Sequence, residues 1–529
     1  MKNWINRMSL ALKNLLAEIP FTVDLYDSIR KGRPRTRYNL EQLADHLPAA
    51  VDQARPFIEK AGTGKKLLLF ATLHYWIEQA AIVGLALRGL GHEVTIAYLP
   101  YHDWRKDINK FDLRRQDFYT RRALAPLDGI VHYASLLDMK PAPVLTANLI
   151  EDISLVSVYD SQYTDQVEDV DKNSAIYKLR YQRNDFAARA ALSLMQELKP
   201  DAVLVPNGTI TELGAVYHVA RHLNLRTVTY EFNDQREQVW IAQDDEVMRQ
   251  NTDSLWKAHG GKKLSEEERA QIEELESART SGQAFGKSVR KWQDVETRGG
   301  EKLREELRLD EKRPIVLLAT NVLGDSLTLG RNVFARSMAD WIEKTVKVFA
   351  HRPEVQLVIR IHPGERLTHG PSMADVVKGA LTPQVPENIH LIGPLEKINT
   401  YDLMEIADLG LVYTTTTGLE LAMNGIPVIV CGETHYRKRG FTLDPMSWEE
   451  YYATIDSALN KKKSLTETQI ESAWEYAYRF FFEYPLTFPW RLMHFWKDME
   501  VWPMERVLSE EGKKEFGRTF AYLAGEPIK

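Results

Sequence analysis

Three polar loops in the C-terminal half of the chain carry the residue types best suited to chemistry. The first, Arg360–Glu365, contains a histidine and an arginine, which could bind a phosphate or protonate one as it leaves. The second, Tyr413–Glu420, contains four consecutive threonines before a predicted helix, and hydroxyl and N–H groups at a helix start attract anions. The third, Gly432–Thr442, contains three consecutive cations, which could hold a diphosphate or an acidic sugar. Together the loops predict an anion-binding site.

Each loop also has a plainer interpretation. His362 could simply satisfy the backbone of a proline turn, and the cations at 437–439 could lie in solvent. Thr417 and Glu420 have the three-residue spacing of a capping box, which closes a helix start without any ligand. Alternatively, the Glu420 carboxylate could accept two hydrogen bonds from a ribose diol. The residues alone leave these alternatives open.

The elements that must position these loops alternate between apolar runs of strand length and helical patterns. This alternation is typical of a parallel sheet with helices on both faces. Because ligands of such sheets lie beyond the carboxyl ends of the strands, we expect the three loops to converge there. We place this doubly wound domain at residues 313–460. Its predicted strands are 315–320, 355–361, 389–392, 409–413 and 427–431, and its predicted helices are 334–349, 400–407 and 418–424.

The N-terminal half shows the same alternation, which predicts a second α/β domain of the Rossmann-like type at residues 60–255. We therefore expect two tandem Rossmann-like domains facing a cleft, with one substrate on each side. The predicted strands of the first domain are 66–72, 93–99, 201–205 and 226–231, and its predicted helices are 77–88 and 211–223.

Composition excludes several other classes of protein. Of 529 residues, 68 are Lys or Arg and 74 are Asp or Glu, so the net charge is −6 and lacks the basic excess of a general nucleic-acid binder. Cys431 is the single cysteine, which excludes an intrachain disulfide and a cysteine-based zinc site. No run reaches the roughly 18 apolar residues of a membrane span, and the N-terminus lacks a secretory signal pattern. We expect a cytoplasmic protein.

Three further segments surround the two domains. Residues 1–59 begin with apolar residues at helical spacing, followed by five cations at 30–37; they predict a helix that packs on the protein body or lies on an anionic membrane. Residues 256–312 are charge-rich and predict solvated connecting helices. Residues 461–529 predict a helical tail whose many aromatic side chains are buried or, alternatively, face a membrane.

The loops of the second domain resemble those of the bacterial capsule polysaccharide biosynthesis proteins, which include β-Kdo transferases. The resemblance covers IRIHPGE at 359–365, TTTTGLELAMNGIPVIVCG at 414–432 and HYRKRGFT at 435–442. It implies the GT-B architecture of glycosyltransferases, with His362 and Thr414–Gly418 on the donor's phosphate and nucleotide. The full set of donor-binding residues that it implies is Asn321, Arg360, His362, Pro363, Thr414, Thr415, Thr416, Thr417, Gly418, Glu420, Gly432, His435, Tyr436 and Arg437.

By this resemblance the first domain supplies the acceptor site and the catalytic base. An inverting transferase needs a group that takes the proton of the acceptor hydroxyl. His74, in the loop after the first predicted strand, is the first candidate, followed by Glu78 and Glu212. Glu231 and Asp234 are further candidates, and His74 could equally be structural.

The function that we expect is therefore metal-independent transfer of a sugar from a nucleotide-sugar to a surface-polysaccharide or lipid-linked acceptor. No cofactor is expected, and the DVD triplet at 169–171 is not expected to bind metal. Peripheral membrane contact would come through the N-terminal helix or the aromatic tail. The alternatives are a teichoic-acid-type polyol-phosphate transferase, a sugar-nucleotide 2-epimerase, and a non-catalytic scaffold of a polysaccharide assembly complex.

Overall fold

The structure is a computed structural model that describes residues 13, 15–19, 21–29, 37–233, 235, 237–286, 295–368, 370–382, 384–460 and 464–528. The chain divides into two compact units. The first comprises residues 1–160, 171–248 and 486–529, and the second comprises residues 161–170 and 249–485. In the described part of the chain, no helix is both long and apolar enough to cross a membrane.

The first unit is built on a seven-stranded sheet with the order β12-β6-β5-β4-β1-β2-β3. Five of these strands run parallel, whereas β6 and β12 join antiparallel at one edge. The strands are β1 Lys66–Thr72, β2 Glu93–Leu99, β3 His132–Ser135, β4 Ala202–Pro206, β5 Arg226–Phe232, β6 Gln238–Gln243 and β12 Leu486–Thr487. The larger helices are Glu41–Ile58, His74–Gly89, Lys110–Leu124, Ala147–Asp165, Ala175–Leu198, Thr211–His222 and Glu510–Leu523, and the shorter ones are Thr22–Ile29, Phe495–Met499 and Met504–Leu508.

The second unit is built on a five-stranded, fully parallel sheet with the order β11-β10-β7-β8-β9. Its strands are β7 Ile315–Ala319, β8 Gln356–Arg360, β9 Ile389–Ile392, β10 Leu409–Val412 and β11 Val428–Val430. Its helices are Asp253–His259, Glu266–Thr280, Gly300–Glu306, Met338–Phe349, Met373–Ala380, Thr400–Glu405, Thr417–Met423, Trp448–Asn460 and Glu467–Tyr478.

Burial explains why the short apolar runs form these strands. Every residue of β7, β8, β10 and β11 is buried, as expected of parallel strands that are covered on both faces. Alternate residues enter two separate cores: Leu317 lies in one, and Val316 and Leu318 lie in the other. The sheet is thus packed between two helical layers. The predicted α/β class is confirmed, with one fully parallel sheet and one that is parallel except for β6 and β12.

Residues 256–312 were predicted to form solvated connecting helices, but part of this segment is buried. Ile272, Leu275 and Leu303 are buried in a core of the second unit. The spacing of three residues between Ile272 and Leu275 places both on one side of the helix Glu266–Thr280. This helix is therefore an integral element of the second unit, and its buried Arg279 lies on the same side as Leu275.

The aromatic tail is divided between the two units. Tyr476 and Phe480 are buried in a core of the second unit, whereas Phe488 and Trp490 are buried in the core of the first. The prediction of buried aromatics is confirmed. Their alternative role as a membrane-facing surface is wrong for these four side chains, because each is at most 4% exposed.

Candidate functional site

The register of the second sheet aligns the loops that the sequence singled out. Ala319 of β7 pairs with Arg360 of β8 on one side and with Val412 of β10 on the other, and Val412 pairs with Val430 of β11. The residues two positions further along each strand therefore form a row at the carboxyl edge of the sheet. That row is Asn321, His362, Thr414 and Gly432.

His362 lies exposed at this edge, and its backbone and ring are fixed by neighbouring loops. Its backbone N–H donates to Thr320 Oγ1 at 2.9 Å, and the N–H of Gly364 donates to His362 Nδ1 at 3.0 Å. Because Nδ1 accepts this bond, a neutral ring carries its proton on Nε2. Both interpretations of the His-Pro turn are thus compatible: Nδ1 satisfies the backbone, while Nε2–H is a donor of the kind that phosphate oxygens accept.

The threonine loop is held to its neighbours by hydrogen bonds. The N–H of Thr414 donates to Asn321 Oδ1 at 3.2 Å, and the Tyr436 hydroxyl donates to the carbonyl oxygen of Thr415 at 2.5 Å. Thr414 Oγ1 is buried and has no hydrogen-bond partner among the described residues. A buried hydroxyl without a partner is costly, and bound ligand is one way to satisfy it.

The predicted anion site at the start of the next helix needs correction. The helix Thr417–Met423 has seven residues, and its first N–H groups are already engaged. The N–H of Thr417 donates to Thr415 Oγ1 at 3.4 Å, and the N–H of Gly418 donates to the carbonyl oxygen of Thr415 at 3.2 Å. The chain turns tightly enough at Thr415 to satisfy these groups internally, so the hydroxyls rather than the N–H groups remain as candidate ligand contacts.

Two glycines allow the loops to approach each other. A Cβ on Gly418 would lie 2.4 Å from the Tyr436 hydroxyl and 2.8 Å from Val412. A Cβ on Gly432 would lie 2.9 Å from the Thr414 side chain. Real Cβ atoms do not approach other atoms this closely, so both positions require glycine.

Glu420 is buried in an ion pair. Its carboxylate accepts from Arg279 at 2.7 Å and from the Tyr401 hydroxyl at 3.0 Å. Burial raises the pKa of Glu420, and the Arg279 charge opposes that rise. The capping-box interpretation is wrong, because Thr416 precedes the helix and no side chain caps it. The ribose contact stays a prediction, whereas the pairing with Arg279, 141 residues away, was not predicted.

Most cations of the predicted donor set are used within the protein. Arg360 donates to the carbonyl oxygens of Gly393 and Ile398 at 2.7 and 3.1 Å. Arg437 is buried and donates to the carbonyl oxygens of Val430 and Pro445 at 2.5 and 2.6 Å. These hydrogen bonds stabilise the loops that follow the strands. Direct contact of either arginine with a donor stays a prediction, and it would require the arginine to share or give up these bonds.

His435 cannot serve as a cation at neutral pH. Its ring is buried and stacked on Phe480, with centroids 3.7 Å apart, and Nδ1 lies 2.9 Å from the Tyr476 hydroxyl. Burial, together with the nearby Arg439 charge, lowers the pKa of His435 to about 3. Its contribution is therefore to pack the basic loop against the helix Glu467–Tyr478.

A cavity of about 440 Å³ borders the row of loop residues, and no sequence pattern predicted it. Gly324 and Asn332 line it, and Asn332 also accepts from the Tyr413 hydroxyl at 3.2 Å. Glu168 lines the same cavity, and its carboxylate accepts from the N–H groups of Met338 and Ala339 at 2.8 and 2.7 Å. Residues 161–170, far from the loops in sequence, thus form one wall of this part of the second unit.

In the first unit, His74 and Glu78 lie one turn apart on the helix that follows β1. Leu73 precedes this helix with φ 64° and ψ 148°, a conformation that only glycine adopts easily. Burial lowers the pKa of His74 and raises the pKa of Glu78 to about 8. At neutral pH, His74 is therefore unprotonated and able to accept a proton, whereas Glu78 already holds one.

The other carboxylates proposed as bases are paired. Glu212 is buried with its Oε1 3.0 Å from Arg180, which also donates to Asp160 at 3.0 Å. Glu231 accepts from Asn207 at 3.1 Å, and burial raises its pKa. Asp234 lies outside the described residues. No described contact joins Glu212 or Glu231 to His74, and their role as catalytic bases stays a prediction.

The C-terminal half of the chain matches a known protein family. Residues 263–472 match the family of the capsule polysaccharide biosynthesis protein. The match includes His362, the threonine loop and both partners of the Arg279–Glu420 pair, and it excludes the first unit. No curated protein matches the sequence.

Solved structures give weaker similarities. The KpsC β-Kdo 2,4 transferase of Thermosulfurimonas dismutans is 17% identical, with 55% of this chain and 82% of that one covered, at a TM-score of 0.34. The β-Kdo 2,7 transferase of KpsC from the same organism is 13% identical, with 60% of this chain and 90% of that one covered, at a TM-score of 0.33. The UDP-GlcNAc 2-epimerase of Neisseria meningitidis, bound to UDP-GlcNAc, is 13% identical, with 79% of this chain and 100% of that one covered, at a TM-score of 0.26. Similarities of this size leave the activity to experiment.

Proposed function

We propose that the protein is a glycosyltransferase of capsule polysaccharide synthesis. In this proposal it moves a sugar from a nucleotide-sugar to a saccharide or lipid-linked acceptor. The observation that carries the proposal is that the family match contains the aligned row of Asn321, His362 and Thr414, where strand ends present hydrogen-bond donors. Hydroxyl and imidazole donors at such an edge suit the phosphates of a nucleotide-sugar.

The donor phosphates would accept hydrogen bonds from Nε2–H of His362 and from the threonine hydroxyls. These bonds strengthen as the nucleotide leaves, because negative charge then builds up on its phosphate oxygens. Thr414 Oγ1, which lacks a partner in the described structure, gains one from the donor in this account. The arrangement uses side-chain donors in place of a metal ion, and metal independence is part of the proposal.

The acceptor hydroxyl would give its proton to His74. Burial lowers the pKa of His74, so its ring is unprotonated at neutral pH and can accept this proton. Glu78, with its pKa raised to about 8, would become a base only in alkaline solution. An inverting displacement, in which the hydroxyl attacks the anomeric carbon directly, is the reaction that one such base suits.

The proposal also places the enzyme in the cytoplasm at the inner face of the cell membrane. A lipid-linked acceptor is anchored in the bilayer, so contact with the membrane would bring the enzyme to its substrate.

A transfer assay with the full chain tests the proposal. The purified protein is incubated with CMP-, CDP- and UDP-linked donors, with and without capsule-type oligosaccharide. The masses of the products are then measured by mass spectrometry. We expect a glycosylated oligosaccharide with one donor, at least tenfold less in His362→Ala, and an unchanged yield in the control His351→Ala, which changes a histidine just before β8.

Other products would identify the alternatives. An epimerised donor formed without acceptor indicates an epimerase, and a phosphodiester product from a CDP-polyol indicates a polyol-phosphate transferase. Consumption of no donor, with or without acceptor, contradicts every catalytic proposal and favours the scaffold.

A further inference from the structure

The N-terminal segment of the first unit has apolar side chains on two opposite sides. On one side, Ala17 and Val23 are buried with Phe111 in a small core of their own. This side packs on the helix Lys110–Leu124, and the helix Thr22–Ile29 follows the same surface.

Polar contacts fasten this side to the protein. Lys13 Nζ lies 2.7 Å from a carboxylate oxygen of Asp112, and Arg114 donates to the carbonyl oxygen of Ala17. The ring of Tyr26 meets that of Phe111 edge-on at 5.5 Å. One side of the segment therefore packs against the first unit, and the opposite side faces away from it.

The other side carries large apolar residues in solvent, and we name it the exposed N-terminal face. Leu25 and Ile29 are four residues apart on the helix Thr22–Ile29, so they share a helical surface, and Leu15 and Ile19 precede them in sequence. Five of the fifteen large apolar residues exposed in the described chain fall within these fifteen positions. Such clustering marks an interaction surface, whereas scattered exposed apolar residues do not. The exposed fractions are Leu15 61%, Ile19 46%, Phe21 78%, Leu25 62% and Ile29 73%.

The charge of the surrounding sequence indicates the partner. Residues 1–40 contain eight Lys and Arg but three Asp and Glu, in a chain whose net charge is −6. The sequence RKGRPRTR follows Ile29 directly and adds five of these cations. An apolar helical surface beside a cluster of cations is the pattern that binds anionic lipid. A second copy of the same surface would be repelled, because it carries the same positive charge.

We propose that the exposed N-terminal face docks on the surface of an anionic lipid bilayer. Its apolar side chains enter the boundary between headgroups and acyl chains, and the net positive charge of residues 1–40 favours an anionic surface. The opposite side stays bound to the helix Lys110–Leu124, so the whole first unit is held at the membrane. This inference assigns the contact to one surface and one lipid class, and it needs no assumption about the reaction.

Co-sedimentation of the full chain with vesicles tests this surface. One set of vesicles is phosphatidylcholine with about 30% phosphatidylglycerol, and the other is phosphatidylcholine alone. We expect binding to the anionic vesicles that weakens as salt is raised. The triple variant Phe21→Ser, Leu25→Ser, Ile29→Ser should bind at least about tenfold more weakly.

A matched triple variant controls for the general loss of apolar surface. Val144→Ser, Leu367→Ser and Leu395→Ser change side chains that are 73%, 75% and 79% exposed elsewhere, and they should leave vesicle binding unchanged. Equal melting temperatures of both variants and the parent show that all three are folded.

Three results would overturn the inference. These are no binding of the parent protein to anionic vesicles, equal binding by the parent and the Phe21, Leu25, Ile29 variant, or a dimer of the parent that this variant dissociates. The assay contains neither donor nor acceptor, so its outcome is independent of the transfer assay, and either proposal can fail alone.

Discussion

At the scale of single residues, the Arg279–Glu420 pair is the most consequential contact that links distant parts of the second unit. It joins the helix Glu266–Thr280 to the helix that begins in the threonine loop, and both side chains are buried. A buried charge that loses its partner is strongly destabilising, whereas an exposed pair contributes little. The pair therefore matters more to the stability of the loop than any surface ion pair of the unit.

The substitution Arg279→Met should lower the free energy of unfolding by about 3–5 kcal/mol, because Glu420 remains buried without its cation. The matched control is Arg298→Met, which breaks an ion pair with Glu306 whose partners are 48% and 42% exposed. That change should cost at most about 1 kcal/mol. Urea unfolding measures both, and equal midpoints for the two variants would show that the buried pair does not stabilise the unit.

Glu78 gives a prediction about pH. Burial raises its pKa from 4.5 to about 8, so the folded protein holds this proton more tightly than the unfolded chain does. The contribution of this proton to the free energy of unfolding is fully present below pH 4.5 and is lost as the pH rises through 8. Because glutamine does not ionise, the variant Glu78→Gln should not lose this stability, and at alkaline pH its free energy of unfolding should exceed that of the parent by roughly 1–3 kcal/mol.

Denaturant unfolding at acidic and alkaline pH checks the Glu78 prediction. The control Glu93→Gln changes an exposed carboxylate at the start of β2 and should not alter the pH dependence. A Glu78→Gln variant that loses stability with rising pH just as the parent does would contradict the assignment.

At the scale of elements, Gly418 and Gly432 set the spacing between the threonine loop and the basic loop. The variant Gly418→Ala places a Cβ 2.4 Å from the Tyr436 hydroxyl, which must break its bond to Thr415. We expect a loss of about 1–3 kcal/mol of stability and weaker nucleotide binding. The control Gly379→Ala adds a Cβ with no atom within 4 Å on the helix Met373–Ala380 and should stabilise by up to about 1 kcal/mol. Equal nucleotide affinity in both variants would contradict the role of Gly418.

The sequence predicted the strands well because their signal is local. The strands 93–99 and 389–392 were predicted with the observed bounds, and the loops after β8, β10 and β11 align as expected. The antiparallel strand β6 was missed; its apolar run, residues 239–242, is only four residues long. Gly418 and the His-Pro turn could be recognised from sequence, since each depends on neighbouring residues.

What the sequence could not supply depends on contacts between distant segments. Nothing near Glu420 indicates that Arg279 will meet it, and only the spacing of Ile272 and Leu275 indicates a buried side of that helix. His435 and Arg437 look like ligand cations in sequence, yet one is buried against Phe480 and the other bonds carbonyl oxygens. The burial of His435 comes from Tyr476 and Phe480, which follow much later in the chain, whereas Arg437 bonds carbonyl oxygens that are seven and eight residues away.

At the scale of the whole molecule, the proposed donor site lies in the second unit and the proposed proton acceptor, His74, lies in the first. In the proposed reaction, hydrogen-bond donors act where other transferases use a divalent cation. We therefore predict that EDTA leaves the transfer rate unchanged and that added Mg²⁺ does not raise it. The measurement is the initial transfer rate with and without chelator, and a rate that EDTA abolishes and Mg²⁺ restores would contradict the prediction.

The most direct test of the central claim is nucleotide binding by the aligned loops of the second unit. Melting temperatures are measured for the full chain with CMP, CDP and UDP, and for His362→Ala and His351→Ala with the same nucleotides. A nucleotide at a hundredfold excess over its Kd should stabilise the folded protein by about 2.7 kcal/mol. We predict that one nucleotide raises the melting temperature of the parent and of His351→Ala but not that of His362→Ala. An equal rise in His362→Ala, or no rise with any nucleotide, would contradict the proposed donor site.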